Sequence, residues 1–270
     1  MSDLVIRDVS VHFHLPHEVV TAVDAVSMTC REGEITGLIG ESGSGKSVLG
    51  MAILGLLGPT AQVVGSVRYG ERELLTLTEE EHRRLRGRDL AFIPQNPRTA
   101  FDPLRRVGEQ IAEPLIAGGM DKAEAKRRML ARLTQLGFAD PETVAASYAF
   151  ALSGGMAQRA LCAMGTIQQP RWLIADEPTK GLDAILRKQA ADIFRSLRAE
   201  GVSVLMITHD LHLAEALCDR IAVLRQGRIV ETGTVQDLFR NPQTAYLKML
   251  LAARPDELAR RKEEAAYGNA

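Results

Sequence analysis

A chain of 270 residues with a formal net charge of -1, 46% hydrophobic and 25% charged, can bury one large α/β core and lacks the basic excess that holds nucleic acid nonspecifically. No nucleic-acid partner is expected. Asp3, Arg7 and Asp8 interrupt the opening segment where a secretory leader would be apolar, and VLGMAILGLLG at 48–58 falls far short of the roughly 20 residues that span a bilayer. Cys30, Cys162 and Cys218 lack CxxC or Cys/His spacing, which argues for buried thiols rather than a disulfide framework or a zinc site.

In chain order, LVIRDVSVHF and AVDAVSMTC read as strands, and EITGLIG is a strand that runs into a glycine-rich loop and an apolar helix over 46–57. VVGSVRYG reads as a further strand. Thr78 and Glu81 have capping-box spacing and open a charged helix that stops near Gly87, after which DLAFIPQ is a buried strand. From about 98 to 167 the strand signal gives way to helical patterns at GEQIAEPLIAG, DKAEAKRRMLARLTQLG and SGGMAQRALCAMGTIQ, the mark of an inserted helical subdomain. Beyond it WLIAD, VSVLMIT and RIAVLRQ alternate with helices over 183–200 and 210–218, which is βαβ logic and implies a parallel sheet. The tail from Pro255 is highly charged and reads as a solvated helix or a frayed end.

Gly40, Glu41, Ser42, Gly43, Ser44, Gly45, Lys46 and Ser47 satisfy G-x-x-x-x-G-K-[ST] between a strand and a helix. Glycines let the backbone wrap a phosphate and turn successive N–H groups inward, Lys46 adds a cation, and the Ser47 hydroxyl suits Mg²⁺. Nucleotide binding follows from this segment, though no particular NTPase class does.

Asp176 and Glu177 end the apolar run Trp172–Ala175, so both carboxylates emerge at the carboxyl edge of the sheet. There Asp176 suits the metal and Glu177 suits a general base for the attacking water, although DEP is also an ordinary helix entry. His209 ends VSVLMIT and Gln95 ends DLAFIPQ at the same edge, within reach of the γ-phosphate, the water and the metal. Leu152-Ser153-Gly154-Gly155-Met156-Ala157-Gln158 opens a helix with a second anion-binding device, one that suits a nucleotide held by another subunit.

Taken together and in this order, the segments resemble the ATP-binding cassette (ABC) family over roughly residues 4–250. Gly40–Ser47 is similar to Walker A, Gln95 to the Q-loop glutamine, Leu152–Gln158 to the signature, Trp172–Glu177 to Walker B, Gly181-Leu182-Asp183 to the D-loop and His209 to the switch histidine. The resemblance implies a P-loop core with a mostly parallel sheet, an N-terminal antiparallel β subdomain and the inserted helical subdomain, in a cassette covering residues 1–254. It further implies ATP and Mg²⁺ bound by Walker A with Gln95 and Asp176. It makes Lys46, Glu177 and His209 catalytic, and offers Ser153, Gly154, Gly155 and Gln158 to the ATP of a second cassette.

QNPRTAFDPL and the ending NPQTAYLKMLLAARP resemble the oligopeptide, dipeptide and nickel importer group. That resemblance implies a second, different ATPase subunit, two permeases, an extracytoplasmic solute-binding protein and a place on the cytoplasmic face of the inner membrane. Three departures stand out. The adenine-stacking aromatic has no clear counterpart, Phe13 fitting by type and His17 by position; Lys180 holds a place more often given to threonine or a small residue; and no cysteine follows Cys218, which weakens peptide relative to nickel or metal-chelate cargo. A cassette of a soluble enzyme complex, such as the phosphonate carbon–phosphorus lyase system, is the alternative reading.

Overall fold

A computed structural model describes residues 2–254; the charged tail expected beyond Pro255 lies outside the described residues. Strands β1 (Leu4–His14) and β2 (Val19–Cys30) pair antiparallel, as do β1 and β4 (Ala61–Tyr69), and the short β5 (Arg72–Glu73) completes a four-stranded sheet in the order β2-β1-β4-β5. Leu4 and Ile6, then Val9 and Val11, are buried: the period-two pattern that packs one face of an antiparallel sheet slips by one residue at the bulge around Asp8, φ +47.

Between the first strands and the rest lie β3 (Ile35–Ile39) and helix α1 (Lys46–Ile53). The helix stops at Ile53 rather than 57, because Gly55 turns at φ +61 and the Leu56 N–H returns to the Met51 carbonyl at 2.9 Å. Helix α2 (Glu79–Leu85) carries the full Thr78/Glu81 capping box read from its spacing. Strand β6 (Leu90–Ile93) ends before Pro94, which has no N–H to continue a ladder, so Gln95 lies in the loop beyond the strand rather than at its end.

Five helices follow: α3 (Pro97–Ala100), α4 (Val107–Ala117), α5 (Lys122–Gln135), α6 (Pro141–Ala146) and α7 (Gly154–Thr166). Of these α3 and α6 are too short to leave a periodic signal, and α6 begins on a proline behind the Asp140 cap. The chain then alternates β7 (Trp172–Asp176), α8 (Ala184–Ala199), β8 (Ser203–Thr208), α9 (Leu211–Leu217) and β9 (Arg220–Arg225). The described residues end with β10 (Arg228–Thr234), α10 (Val235–Arg240) and α11 (Ala245–Ala252), none of them assigned in the sequence reading above.

The second sheet has the order β10-β9-β3-β8-β7-β6, parallel throughout except for the edge strand β10. Both faces of its central strands are covered, which is why they read as unbroken apolar runs. Trp172 and Ile174 point into a cluster shared with Leu49 and Ile53 of α1 and with the antiparallel sheet. Leu173 and Ala175 point the other way, toward Ile111 of α4 and Ala160 of α7. Register matters most for function: Ile39 pairs with Thr208, and Asp176 with Ile207, so β3, β7 and β8 end level. All three cysteines are free and buried, and desolvation pushes each thiol up to about 12.

Candidate functional site

Because three parallel strands end level, the loop after β3, the carboxylates after β7 and the histidine after β8 meet at one edge. A cavity of about 740 Å³ opens there, lined by Gly43, Lys46 and Ser47, by Gln95, and by Glu177 and His209; the buried Asp176 is not part of its lining. Gly40, Glu41, Ser42 and Gly45 line it as well. Ser44 lies beneath the loop, buried, with its carbonyl accepting the Gly227 N–H at 3.0 Å.

The loop is shaped by its glycines. Gly43 sits at φ +80 with nothing within 4 Å of where a Cβ would project, whereas at Gly45, φ +102, a Cβ would come within 2.3 Å of the Ala22 carbonyl oxygen. Open space at the first and close backbone approach at the second leave a cradle free of side chains. The Lys46 amine closes on the loop itself, donating to the carbonyls of Gly40 at 2.9 Å and Glu41 at 2.7 Å. Burial lowers its pKa, and the charges of Glu177, Asp176 and Glu41 work against that shift.

Asp176 is only 5% exposed. Burial raises its pKa, the neighbouring Glu177 charge adds to this, and a hydrogen bond with Ser47 opposes it. Its Oδ1 is buried with no hydrogen-bond partner, an expensive condition for a carboxylate. An orphaned acid oxygen next to a serine hydroxyl is the oxygen donor set that Mg²⁺ takes with nucleotide phosphates, so these residues fit that ion.

Glu177 adopts φ +47, a left-handed conformation uncommon outside glycine, and its N–H donates to the Ile207 carbonyl at 2.8 Å. Its carboxylate oxygens each lie 2.8 Å from His209 Nδ1, which fixes the acid toward the cavity while the histidine side chain stays 57% exposed. Lys180 also lines the cavity, and its charge acts on Asp176 to lower the carboxyl pKa.

Other expected residues lie elsewhere. Ser153 caps α7 by accepting the Met156 N–H at 3.3 Å, and it does not line the cavity, nor do Gly154, Gly155 or Gln158. A Cβ on Gly154 would meet nothing within 4 Å, whereas one on Gly155 would press into the Leu186 side chain at 2.8 Å. One glycine therefore leaves the helix N-terminus open and the other lets α7 pack on α8. Asp183 caps α8, accepting the Leu186 N–H at 2.9 Å. Neither Phe13, packed on the core beneath the antiparallel sheet, nor the exposed His17 lines the cavity.

The order of these segments and their convergence on one sheet edge agree with a match to the family model described as ABC transporter, across residues 23–180. The chain belongs to the ABC transporter family. It is an ATP-binding, ATP-hydrolysing cassette. The cassette is 41% identical over 260 residues to the dipeptide transport ATP-binding protein DppD of Haemophilus influenzae, a match covering 95% of this chain and 78% of that one. It is 43% identical over 256 residues to the peptidoglycan transport ATP-binding protein YejF of Agrobacterium fabrum, covering 93% of this chain but 47% of YejF, about half its length. Among solved structures it superposes on a dimeric ATP-binding cassette in a post-hydrolysis state bound to ADP and Pi, with TM-score 0.77 and 27% identity over 86% of this chain and 98% of that one.

One wall of the cavity was not read from the sequence. Leu250, Ala253 and Arg254, from the end of α11 and just beyond it, also line the cavity, as does Ala22 of β2. The apolar helical run AYLKMLLA carries a signal for the helix, but not for its position.

Proposed function

We propose that this cassette hydrolyses ATP to energise uptake of a peptide through partner permeases. The observation that carries the mechanism is the convergence of the phosphate loop, Gln95, Glu177 and His209 on a single cavity, with the Asp176 carboxyl buried beside Ser47. Lys46 leaves the Gly40 and Glu41 carbonyls for the terminal phosphates, and the loop amides hold the rest of the chain of phosphates. Ser47, Asp176 and Gln95 would hold Mg²⁺, which would supply charge neutralisation for the phosphates. Glu177 takes a proton from water as the water oxygen bonds to the γ-phosphorus. The bond from that phosphorus to the bridging oxygen breaks, and ADP leaves with the electron pair. His209 orients the Glu177 carboxylate through the 2.8 Å contact already present.

Ser153, Gly154, Gly155 and Gln158 sit away from this cavity and serve the ATP of a second cassette, with Asp183 in the D-loop between them. The cassette spans residues 1–254 with the helical subdomain of about 98–167 inserted. Its partners are a second, different ATPase, two permeases and an extracytoplasmic solute-binding protein, on the cytoplasmic face of the inner membrane. Among the described residues no helix is long and apolar enough to cross a membrane. Leu104, 85% exposed, and Phe150, 68% exposed and stacked on Tyr148, give the helical subdomain an apolar surface suited to a permease. The missing cysteine after Cys218 tilted the sequence toward metal cargo. The dipeptide and peptidoglycan names of the relatives support peptide instead and count against the soluble enzyme complex.

Affinity purification of the tagged chain from detergent-solubilised membranes, with an ATPase assay of the eluate, tests this reading. Two permeases and a second cassette, with peptide stimulating turnover in the presence of the binding protein, are the expected result. Recovery of soluble enzyme subunits alone would refute it.

A further inference from the structure

Among the described residues one hydrogen bond ties α11 to the phosphate loop: the Tyr246 hydroxyl accepts the Glu41 N–H at 3.0 Å. Tyr246 is 4% exposed, and the Arg225 guanidinium sits 4.9 Å over its ring. The start of α11 is itself pinned. Glu231 on β10 accepts the backbone N–H groups of Gln243 at 2.8 Å and Thr244 at 3.0 Å, and the Thr244 hydroxyl at 2.5 Å. Thr244 then caps α11 by accepting the Leu247 N–H at 3.2 Å. The tyrosine hydroxyl is thus fixed to the sheet through β10 rather than carried on a loose end.

The peptide group joining Gly40 to Glu41 is held from both sides. Its carbonyl, that of Gly40, accepts from Lys46 at 2.9 Å, and its N–H, that of Glu41, donates to Tyr246 at 3.0 Å. When a triphosphate draws the Lys46 amine away, the carbonyl side loses that donor and the tyrosine bond remains. We propose that Tyr246 is a positioning residue for ATP, holding the first turn of the phosphate loop in its binding conformation while Lys46 exchanges loop carbonyls for phosphate. This rests on the ATP reading of the cavity given above. A loop already in the bound shape does not have to be ordered by the ligand, so the hydroxyl acts on affinity. The Glu177 and His209 pair lies outside this chain of bonds, so the hydrolytic step is unaffected.

Tyr246→Phe removes the hydroxyl and keeps the ring, its burial and the Arg225 contact. Loss of one such bond should raise the Kd for MgATP of the full chain, and the KM of the assembled transporter, about 3–10-fold, with kcat within about twofold. Hydrogen exchange of the ATP-free chain gives a second readout that does not depend on ATP: the Glu41 amide should exchange about tenfold faster in the variant. An unchanged exchange rate, an unchanged Kd, or a loss of kcat at constant KM would overturn the proposal. Failure of the wild-type chain to bind MgATP would instead overturn the ATP reading itself, leaving the exchange result to report whether Tyr246 holds the loop.

Discussion

Alanine at Gly43 and at Gly45 should damage this protein in two different ways, although both glycines sit at positive φ, +80 and +102. At Gly43 a Cβ meets nothing within 4 Å, so the folded chain carries only the left-handed strain, about 1–2 kcal/mol. For a chain of this size that lowers Tm by roughly 2–8 °C. The new methyl takes up room in the cavity where phosphate oxygens are proposed to lie, and ATP affinity should fall about tenfold or more, equivalent to about 1.4 kcal/mol. At Gly45 the same strain is joined by a Cβ 2.3 Å from the Ala22 carbonyl oxygen, a backbone atom that cannot swing aside. The total rises to about 3–5 kcal/mol and the Tm loss to about 6–20 °C. Thermal melts of the two variants, followed by ATP titration below the lower Tm, separate the effects. Equal loss of stability in both, or wild-type ATP affinity in a folded Gly43→Ala, would refute the reasoning.

Glu177→Gln keeps the side-chain shape but cannot take a proton, so turnover should fall about 10²–10⁴-fold with ATP binding intact; unchanged turnover removes Glu177 as the base. Ser153→Arg should spare ATP binding by the chain's own cavity while impairing hydrolysis by the assembled pair, and loss of ATP binding in the isolated variant would contradict a role across the interface. At Glu231 burial works to raise the carboxyl pKa, but the Gln243 and Thr244 donors outweigh it and hold the group below its ordinary value. A depressed folded-state pKa stabilises the fold above the unfolded value of about 4.3 and loses that contribution as pH falls through the folded one. The Tm deficit of Glu231→Gln should therefore be present at pH 7 and shrink below about pH 4; a deficit independent of pH would show that the charge plays no part.

The parts of the cassette that could be read directly are those whose physics is local. The phosphate loop is a run of consecutive residues, and its glycines, lysine and serine stand where a strand meets a helix. The Thr78/Glu81 box and the five apolar strands of the parallel sheet are equally local, so their placement differed from the structure by only a residue or two at the ends. Strand β10 escaped notice because it is a half-exposed edge whose burial merely alternates, and because its hairpin turns on Gln226 and Gly227, at φ +48 and +79, rather than on an Asn-Gly pair.

What no local pattern could supply is the pairing of distant residues. Asp176 and Glu177 could be placed at a strand end, but the 2.8 Å contact of Glu177 with His209 depends on β7 and β8 ending in register. The Glu41 and Tyr246 bond is the extreme case, joining residues 205 apart in the chain. A tyrosine in an apolar helix near a C-terminus reads as core filling, and most of its area is spent that way here. Only the path of β10 back along the sheet edge, followed by the Glu231 clamp on Thr244, brings its hydroxyl to the loop. The groups proposed to act on ATP were visible because each is announced by its own neighbours. The groups that hold them in place are announced only by the fold, so sequence reading of such a site recovers its chemistry sooner than its mechanical support.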